Sequence, residues 1–248
     1  MYDGKVTPEL YDKIGDELVS QYFTQPNYWK IDGKAYFSIY DVPSFLASFG
    51  SVEAARAAME SLDAKARAAG LKGVHWNMIV IENPKMPDGT PFEYADVFKR
   101  LGVSSVTTYI IIHQAQLPDL QTDYNQVRDE YLNYWAQHRR DYSMPYIYNV
   151  TMGWDSSPRT DQTQEWSSDY KFPYWNIMRN NTPENFKTAL QRTRDTILAH
   201  PEVAPVVIIN AWNEWTESSY LEPDTVNGMA YLEAVREVFP PQSSSSKP

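Results

Sequence analysis

The chain has 248 residues, 42% of them hydrophobic, and a net charge of −10 from 32 acidic and 22 basic side chains. This length is enough for one domain with a substantial core. The acidic balance argues against a nucleic-acid partner, and no apolar run is long enough to suggest membrane insertion. The absence of cysteine excludes a disulfide framework, a thiol nucleophile and a thiolate metal site.

Strand and helix signals alternate along the chain. The first element is a helix, begun by Thr7-Pro8-Glu9, and each predicted strand is then followed by a helix. The predicted strands are 35–40, 74–81, 103–112, 145–150 and 205–211, and the predicted helices are 9–23, 51–69, 92–101, 125–142, 183–200 and 228–239. The low-complexity tail, residues 240–248, is predicted to be disordered.

This alternation predicts an α/β fold with a parallel sheet and right-handed crossovers. With no linker or repeat, residues 1–239 are expected to form a single domain. Five β/α units do not close a barrel, which needs eight. Since the first element is a helix, the chain is expected to begin inside a unit, and we favour a truncated (β/α)8 barrel of TIM type over an open five-stranded sheet.

The chain contains 8 Trp, 18 Tyr and 9 Phe, and this aromatic content is typical of a carbohydrate-facing cleft, although core packing also uses such residues. The N-terminus lacks the apolar segment of a secretory signal. The compartment is therefore not predicted, and a longer parent protein of extracytoplasmic location is compatible with the sequence.

The last predicted strand ends in a polar and aromatic cluster, Asn210-Ala-Trp-Asn-Glu-Trp-Thr-Glu217. In α/β enzymes the C-terminal ends of buried strands carry the chemistry. Glu214 and Glu217 are three residues apart, which places them side by side if the chain turns there. Glycosidases typically use two carboxyl groups that face the same gap. In the alternative interpretation, Glu214 is a solvated loop residue and Glu217 is an acid in the first turn of a helix.

A second cluster, Gly153-Trp-Asp-Ser-Ser-Pro-Arg159, follows the preceding strand. In a functional interpretation Trp154 stacks on a sugar, while Asp155 and Arg159 bind hydroxyl groups or orient a catalytic carboxylate. In the alternative, Asp155 caps a turn and Arg159 pairs with it.

Further substrate-binding candidates are expected at or near the strand ends: Tyr40, Asn77, Tyr109, Asn213 and Trp215. The indole faces of Trp212 and Trp215 suit sugar rings, or else plug the end of a barrel. The four histidines lack metal-ligand spacing, and there is no Gly-rich phosphate loop. We therefore expect no metal and no cofactor.

Both clusters, together with Leu221-Glu-Pro-Asp224 and Tyr28-Trp-Lys-Ile-Asp-Gly-Lys34, resemble the glycoside hydrolase family 99-like proteins. That group is related to the endo-α-mannosidases and includes proteins of bacterial polysaccharide biosynthesis. The resemblance spans about Tyr22 to Phe239. It implies a (β/α)8 barrel of which these strands are the fourth to the eighth, so the missing N-terminal part of the barrel is an expected partner.

The resemblance also implies retaining hydrolysis of an α-glycosidic bond in a carbohydrate substrate. Glu217 would act as acid and then base, and Glu214 would assist the substrate 2-hydroxyl in forming a 1,2-anhydro sugar. Trp215 matches the family, whereas Thr216 and Ser218 stand where endo-mannosidases tend to have His and Gly. Two alternatives stay open: sugar transfer in polysaccharide biosynthesis, and a non-catalytic protein that only binds glycans.

Overall fold

The computed structural model describes residues 5–81, 92–165, 167, 172–201 and 205–241. The chain divides into two compact units, the first comprising Met1–Tyr109 and Arg140–Tyr146, the second Ile110–Arg139 and Ile147–Pro248. The single domain expected for residues 1–239 stays a prediction. Most of the predicted disordered tail, residues 242–248, lies outside the described residues.

The first unit is built on a four-stranded sheet in the order β1-β2-β3-β4. The strands are β1 Lys30–Ile31, β2 Lys34–Ile39, β3 Val74–Val80 and β4 Ser105–Thr108. β2, β3 and β4 are parallel, as predicted, while β1 is antiparallel to β2. Asp32 and Gly33, which join β1 to β2, have φ angles of 52° and 80°, as required by the tight hairpin turn that an Asp-Gly pair favours.

The described residues of this unit form the helices α1 Pro8–Glu17, α2 Val42–Phe49, α3 Val52–Ala68 and α4 Tyr94–Leu101. α1 continues as a π-helix over Leu18–Phe23. The capping hydroxyls of Thr7 and Ser51 accept hydrogen bonds from the backbone of the first turns of α1 and α3. α3 buries Ala55, Met59, Leu62 and Ala66 on one face, the spacing of an amphipathic helix.

In the second unit the described residues form three two-stranded sheets. Two are parallel, β5 Gln121–Asp123 with β7 Ile177–Arg179 and β6 Tyr148–Thr151 with β8 Val207–Asn210. The third is an antiparallel hairpin of β9 Asn213–Glu214 and β10 Ser219–Tyr220. The helices are α5 Tyr124–His138, α6 Pro183–Leu198 and α7 Ala230–Val238. Large side chains such as Trp135, Tyr124, Tyr148 and Phe186 are fully buried in it.

Several predicted boundaries are wrong. The strand expected at 103–112 ends at Thr108, and Ile111–His113 forms a short 3-10 helix, because an apolar run alone does not reveal where the chain turns. The helix expected to reach residue 142 ends at His138, where a polar stretch begins. No helix in the described parts of the chain is long and apolar enough to cross a bilayer.

Candidate active site

The candidate site of the second unit starts at the end of β8. There Asn210 is 3% exposed, and its Oδ1 accepts a 2.6 Å hydrogen bond from the hydroxyl of Thr151 at the end of β6. The chain then enters the β9–β10 hairpin, in which Trp215–Glu217 form a 3-10 turn and Ser218 has a left-handed φ of 52°. This turn brings Glu214 and Glu217 together, as their spacing predicts.

One guanidinium contacts both glutamates. Arg159 Nη2 lies 2.6 Å from Glu214 Oε1, and Arg159 Nη1 lies 3.0 Å from Glu217 Oε1. Its third nitrogen, Nε, donates to Thr216 Oγ1 at 2.7 Å. Arg159 is thus held at three points by the turn that carries the pair, and its planar fork suits such multiple contacts.

The two glutamates differ in their exposure to solvent. The Glu217 side chain is 7% exposed, whereas that of Glu214 is 35% exposed. A buried carboxylate is stable only when it is paired or hydrogen-bonded. Glu217 lies in the first turn of the short 3-10 helix, as in the alternative interpretation, but it is buried against Arg159.

The backbone also links the two clusters singled out from the sequence. The Asp155 N–H donates to the Glu217 carbonyl at 2.8 Å, and the Ser219 hydroxyl donates to the Gly153 carbonyl at 2.5 Å. The Asp155 carboxylate accepts from the backbone N–H of Ser157 at 2.9 Å, so it caps the turn as in the alternative interpretation. Arg159, however, forms its ion pairs with the glutamates.

Exposed aromatic side chains flank the carboxylates. Trp215 is 43% exposed, stacks on Tyr220 with the ring centroids 3.9 Å apart, and donates from Nε1 to Glu222 Oε2 at 2.6 Å. Trp212 is 54% exposed. Asn213, in β9, is exposed and pairs in register with Tyr220. The indole of Trp215 therefore offers one face to solvent in a fixed orientation.

Trp154 is 3% exposed, and its Nε1 has no hydrogen-bond partner among the described residues. It is covered by Trp175 and Phe172, whose ring centroids lie 5.7 and 6.4 Å away. These two covering rings are 36% and 47% exposed. Stacking of a sugar on Trp154 stays a prediction, but its burial makes Trp175 the better candidate for this role. No strand-end signal in the sequence points to Trp175.

Three predicted site residues, Tyr40, Asn77 and Tyr109, belong to the first unit. Tyr40 and Tyr109 follow β2 and β4 and meet edge to face, with centroids 5.3 Å apart. Asn77 is fully buried in β3, where its side chain accepts from Ser38 and donates to Ser105, each at 2.9 Å. Asn77 thus has a structural role between strands, and sugar binding by these three residues stays a prediction.

Among the described residues, no group of three or more His, Asp or Glu side chains is arranged to hold a metal ion. The site consists of two carboxylates, a guanidinium, hydroxyls and indoles. Carboxylates and hydroxyls can donate or accept hydrogen bonds, and indoles can pack on the apolar surface of a ligand.

The chain has an α/β fold that is similar to the fold of GH99 endo-alpha-mannosidases. Two solved structures of the GH99 endo-alpha-mannosidase from Bacteroides thetaiotaomicron are similar to it, one of them in complex with BIS-TRIS-propane. They align over 89% and 94% of this chain and 56% and 61% of their own, with TM-scores of 0.51 and 0.50 and 13% identity. At this identity the likeness shows the fold alone, and a complete (β/α)8 barrel stays a prediction.

The chain belongs to the family described as Glycosyltransferase WbsX, whose sequence model matches residues 8–235. The predicted membership of a GH99-like group with biosynthetic members is thereby confirmed. The uncharacterized protein WxcX of Xanthomonas campestris pv. campestris is 35% identical over 101 residues, which are 40% of this chain and 13% of WxcX. The chain thus spans a small part of WxcX and under two thirds of the solved structures.

Proposed function

We propose that the chain is a glycan-active enzyme that cleaves an α-glycosidic bond with retention, using Glu214 and Glu217 as its catalytic pair. The observation that carries this proposal is the contact of the Arg159 guanidinium with both carboxylates, at 2.6 and 3.0 Å. A single cation that touches both groups keeps them at one gap, as a two-carboxylate mechanism requires. We also propose that the chain forms part of a (β/α)8 barrel that further β/α units complete.

In this proposal, Arg159 exchanges one of its carboxylate partners for the substrate when the substrate binds. A carboxylate next to a guanidinium is held in its charged form, whereas a general acid must carry a proton. We propose that substrate hydroxyls replace Glu217 on Arg159, so that Glu217 takes up a proton in its buried position. Glu214, which is more exposed and is also bound to Arg159, serves as base.

The reaction then follows the roles that the family resemblance implies. Glu217 gives its proton to the glycosidic oxygen as the bond to the anomeric carbon breaks. Glu214 removes the proton of the substrate 2-hydroxyl, whose oxygen attacks the anomeric carbon to form a 1,2-anhydro sugar. Glu217, now ionised, takes a proton from water, the resulting hydroxide opens the three-membered ring at the anomeric carbon, and Glu214 returns the proton to the 2-oxygen. Two inversions at that carbon give net retention.

Sugar transfer is a second candidate, favoured by the description of the matching family as a glycosyltransferase. An acceptor hydroxyl in place of water would open the same anhydro sugar. Incubation with excess acceptor saccharide and chromatographic analysis of the products separates the two functions. Hydrolysis gives the free sugar, and transfer gives a longer glycan with the donor anomeric configuration retained.

The test uses α-mannosides first, because the solved structures similar to the chain are endo-alpha-mannosidases. We expect wild-type turnover of an α-mannosyl oligosaccharide and a loss of about 100- to 10,000-fold in Glu217→Gln, the usual contribution of a general acid. Glu237→Gln is the matched control, since Glu237 is an exposed partner of Lys187. Equal turnover in Glu217→Gln contradicts the assignment, and binding without cleavage of any α-linked glycan favours the glycan-binding alternative.

A further inference from the structure

A polar cavity of about 400 Å³ borders the candidate active site within the second unit. Small-molecule sites typically have volumes of about 300–1,000 Å³. Asp155 and Ser218 both line this cavity. Asp155 is joined to the Glu217 carbonyl by its backbone N–H, and Ser218 directly follows Glu217. The cavity wall and the carboxylate pair are therefore connected through the backbone around Glu217.

The cavity wall is rich in neutral polar groups. Three side-chain amides, from Asn180, Asn181 and Asn227, and two phenols, from Tyr220 and Tyr231, line it. Amides and phenols both donate and accept hydrogen bonds, as sugar hydroxyls do. No Lys or Arg is among the described lining residues, and the carboxylate of Asp155 is the charged group there. This wall disfavours a phosphate or a carboxylate ligand.

Part of the wall is apolar. Met152 and Met178 line the cavity, and they are only 1% and 3% exposed. A sugar ring presents C–H groups as well as hydroxyls, so a wall with amides and a methionine surface matches both kinds of group. Methionine also adapts to irregular shapes. The combination fits one uncharged sugar residue.

The polar groups are held in place before any ligand binds. Asn180 Nδ2 donates to Asp123 Oδ2 at 2.6 Å, and Asn227 Nδ2 donates to Asp224 Oδ2 at 3.1 Å. The Tyr231 hydroxyl donates to the backbone carbonyl of Asn181. Groups that are already fixed lose less conformational freedom when a ligand is bound, which favours binding.

We propose that this cavity binds one neutral sugar residue of the glycan. Tyr220 connects it to the candidate active site, since Tyr220 lines the cavity and stacks on the exposed indole of Trp215. The inference deepens the proposed function by taking a glycan as ligand. It does not require that Glu214 and Glu217 be catalytic.

The test is a titration monitored by saturation-transfer difference NMR. The probes are the methyl α-glycosides of mannose, glucose and rhamnose, with mannose 6-phosphate as a charged comparison. Asn181→Ala removes an amide from the wall, and Tyr231→Phe removes a hydroxyl. Asn133→Ala is the matched control, because Asn133 is an exposed residue on α5. Thermal melts establish that each variant is folded.

We expect at least one neutral glycoside to bind the wild-type chain more tightly than mannose 6-phosphate. Each cavity variant should raise its Kd about three- to tenfold, the effect of one lost hydrogen bond, while Asn133→Ala leaves it unchanged. The proposal is overturned if the phosphorylated sugar binds more tightly, if no neutral glycoside binds, or if both cavity variants keep the wild-type Kd.

The two proposals fail in different ways. Binding that is weakened by Asn181→Ala in a chain that cleaves nothing supports the cavity and contradicts only the proposed enzyme function. Turnover that is lost in Glu217→Gln, with glycoside binding unaffected by both cavity variants, supports the enzyme function and overturns the cavity.

Discussion

Arg159 Nη1 and Glu217 Oε1 form an ion pair of 3.0 Å in which the glutamate is 7% exposed and the arginine 33% exposed. The two residues are far apart in the sequence, and the pair joins two loops, one following β6 and one following β8. The same guanidinium contacts Glu214. The pair is therefore both a structural link of the second unit and the centre of its candidate chemistry.

Replacing Arg159 by Met should destabilise the chain, because it removes the guanidinium beside a buried carboxylate. A fully buried pair that loses one partner costs about 3–5 kcal/mol. Arg159 is partly exposed, so solvent screening reduces this, and we expect the free energy of unfolding to fall by about 1–3 kcal/mol. Urea unfolding followed by tryptophan fluorescence measures the change.

The control for this variant is Arg194→Met. Arg194 pairs with Asp195 at 2.9 Å, and both side chains are exposed, by 40% and 65%. Loss of such a surface pair changes stability by no more than about 0.5 kcal/mol. An equally small change in Arg159→Met would show that the link between the two loops does not stabilise the fold.

Trp215→Ala should weaken glycan binding, because it removes an exposed indole held by Tyr220 and Glu222. The loss of one stacking contact corresponds to a Kd about three- to tenfold higher. Trp29→Ala is the matched control, since Trp29 is also exposed, by 44%, and packs on a tyrosine, Tyr36. Titration calorimetry with an α-mannosyl oligosaccharide measures the Kd of each variant. Equal Kd values in Trp215→Ala and Trp29→Ala would exclude Trp215 from the binding surface.

Gly153→Ala should destabilise the second unit. A Cβ at this position would clash with Nδ2 of Asn181 and would lie 3.0 Å from its Cγ and 3.2 Å from the Ser218 carbonyl oxygen. Overpacking of this kind costs about 1–3 kcal/mol. The double variant Gly153→Ala/Asn181→Ala should recover most of the loss, because the nearest contact is with the Asn181 side chain. A double variant as unstable as Gly153→Ala alone would place the cause in the backbone of Ser218.

Stability should decrease on mild acidification. Burial lowers the pKa of His113, and burial together with the charge of Lys34 lowers that of His75. Since each folded-state pKa lies below the unfolded value of about 6.5, the unfolded chain binds more protons. Stability is then full above about pH 6.5 and is lost as the pH falls through the folded-state pKa.

The midpoint of urea unfolding should therefore fall as the pH is lowered from about 7 to about 5. The fall should be smaller in the double variant His75→Gln/His113→Gln. This window lies mostly above the range in which unperturbed carboxylates titrate. An identical pH dependence in the double variant and in the wild type would assign the effect to other groups.

Much of the fold follows from local signals. Thr7 caps the helix that it predicts, and Ser51 and Thr182 cap α3 and α6 in the same way. Helix α2 has similar signals, Asp41 as its cap and Gly50 at its end, but its short apolar sequence resembles a strand-to-loop transition and the helix was not predicted. β5 and β7 are three residues each, too short for a period-2 pattern to be recognised.

The site was predictable only in its parts. Both clusters and the carboxylate pair are visible in the sequence, because motifs are local. The ion pairs of Arg159 with Glu214 and Glu217 cross from one loop to another, and the sequence left open whether Arg159 pairs with Asp155. Likewise, the burial of Trp154 depends on rings that fold over it, one of them Trp175, and no local pattern contains that information.

The most direct test of the central claim is the first turnover of an α-mannoside prepared both as an alkyl glycoside and as a glycosyl fluoride. Fluoride leaves without help from a general acid, so its release in Glu217→Gln should stay within about tenfold of wild type, while alkyl glycoside cleavage falls about 100- to 10,000-fold. Glu214→Gln should lose both reactions. Equal losses on both substrates in Glu217→Gln, or wild-type rates in both variants, would contradict the assigned roles of the pair.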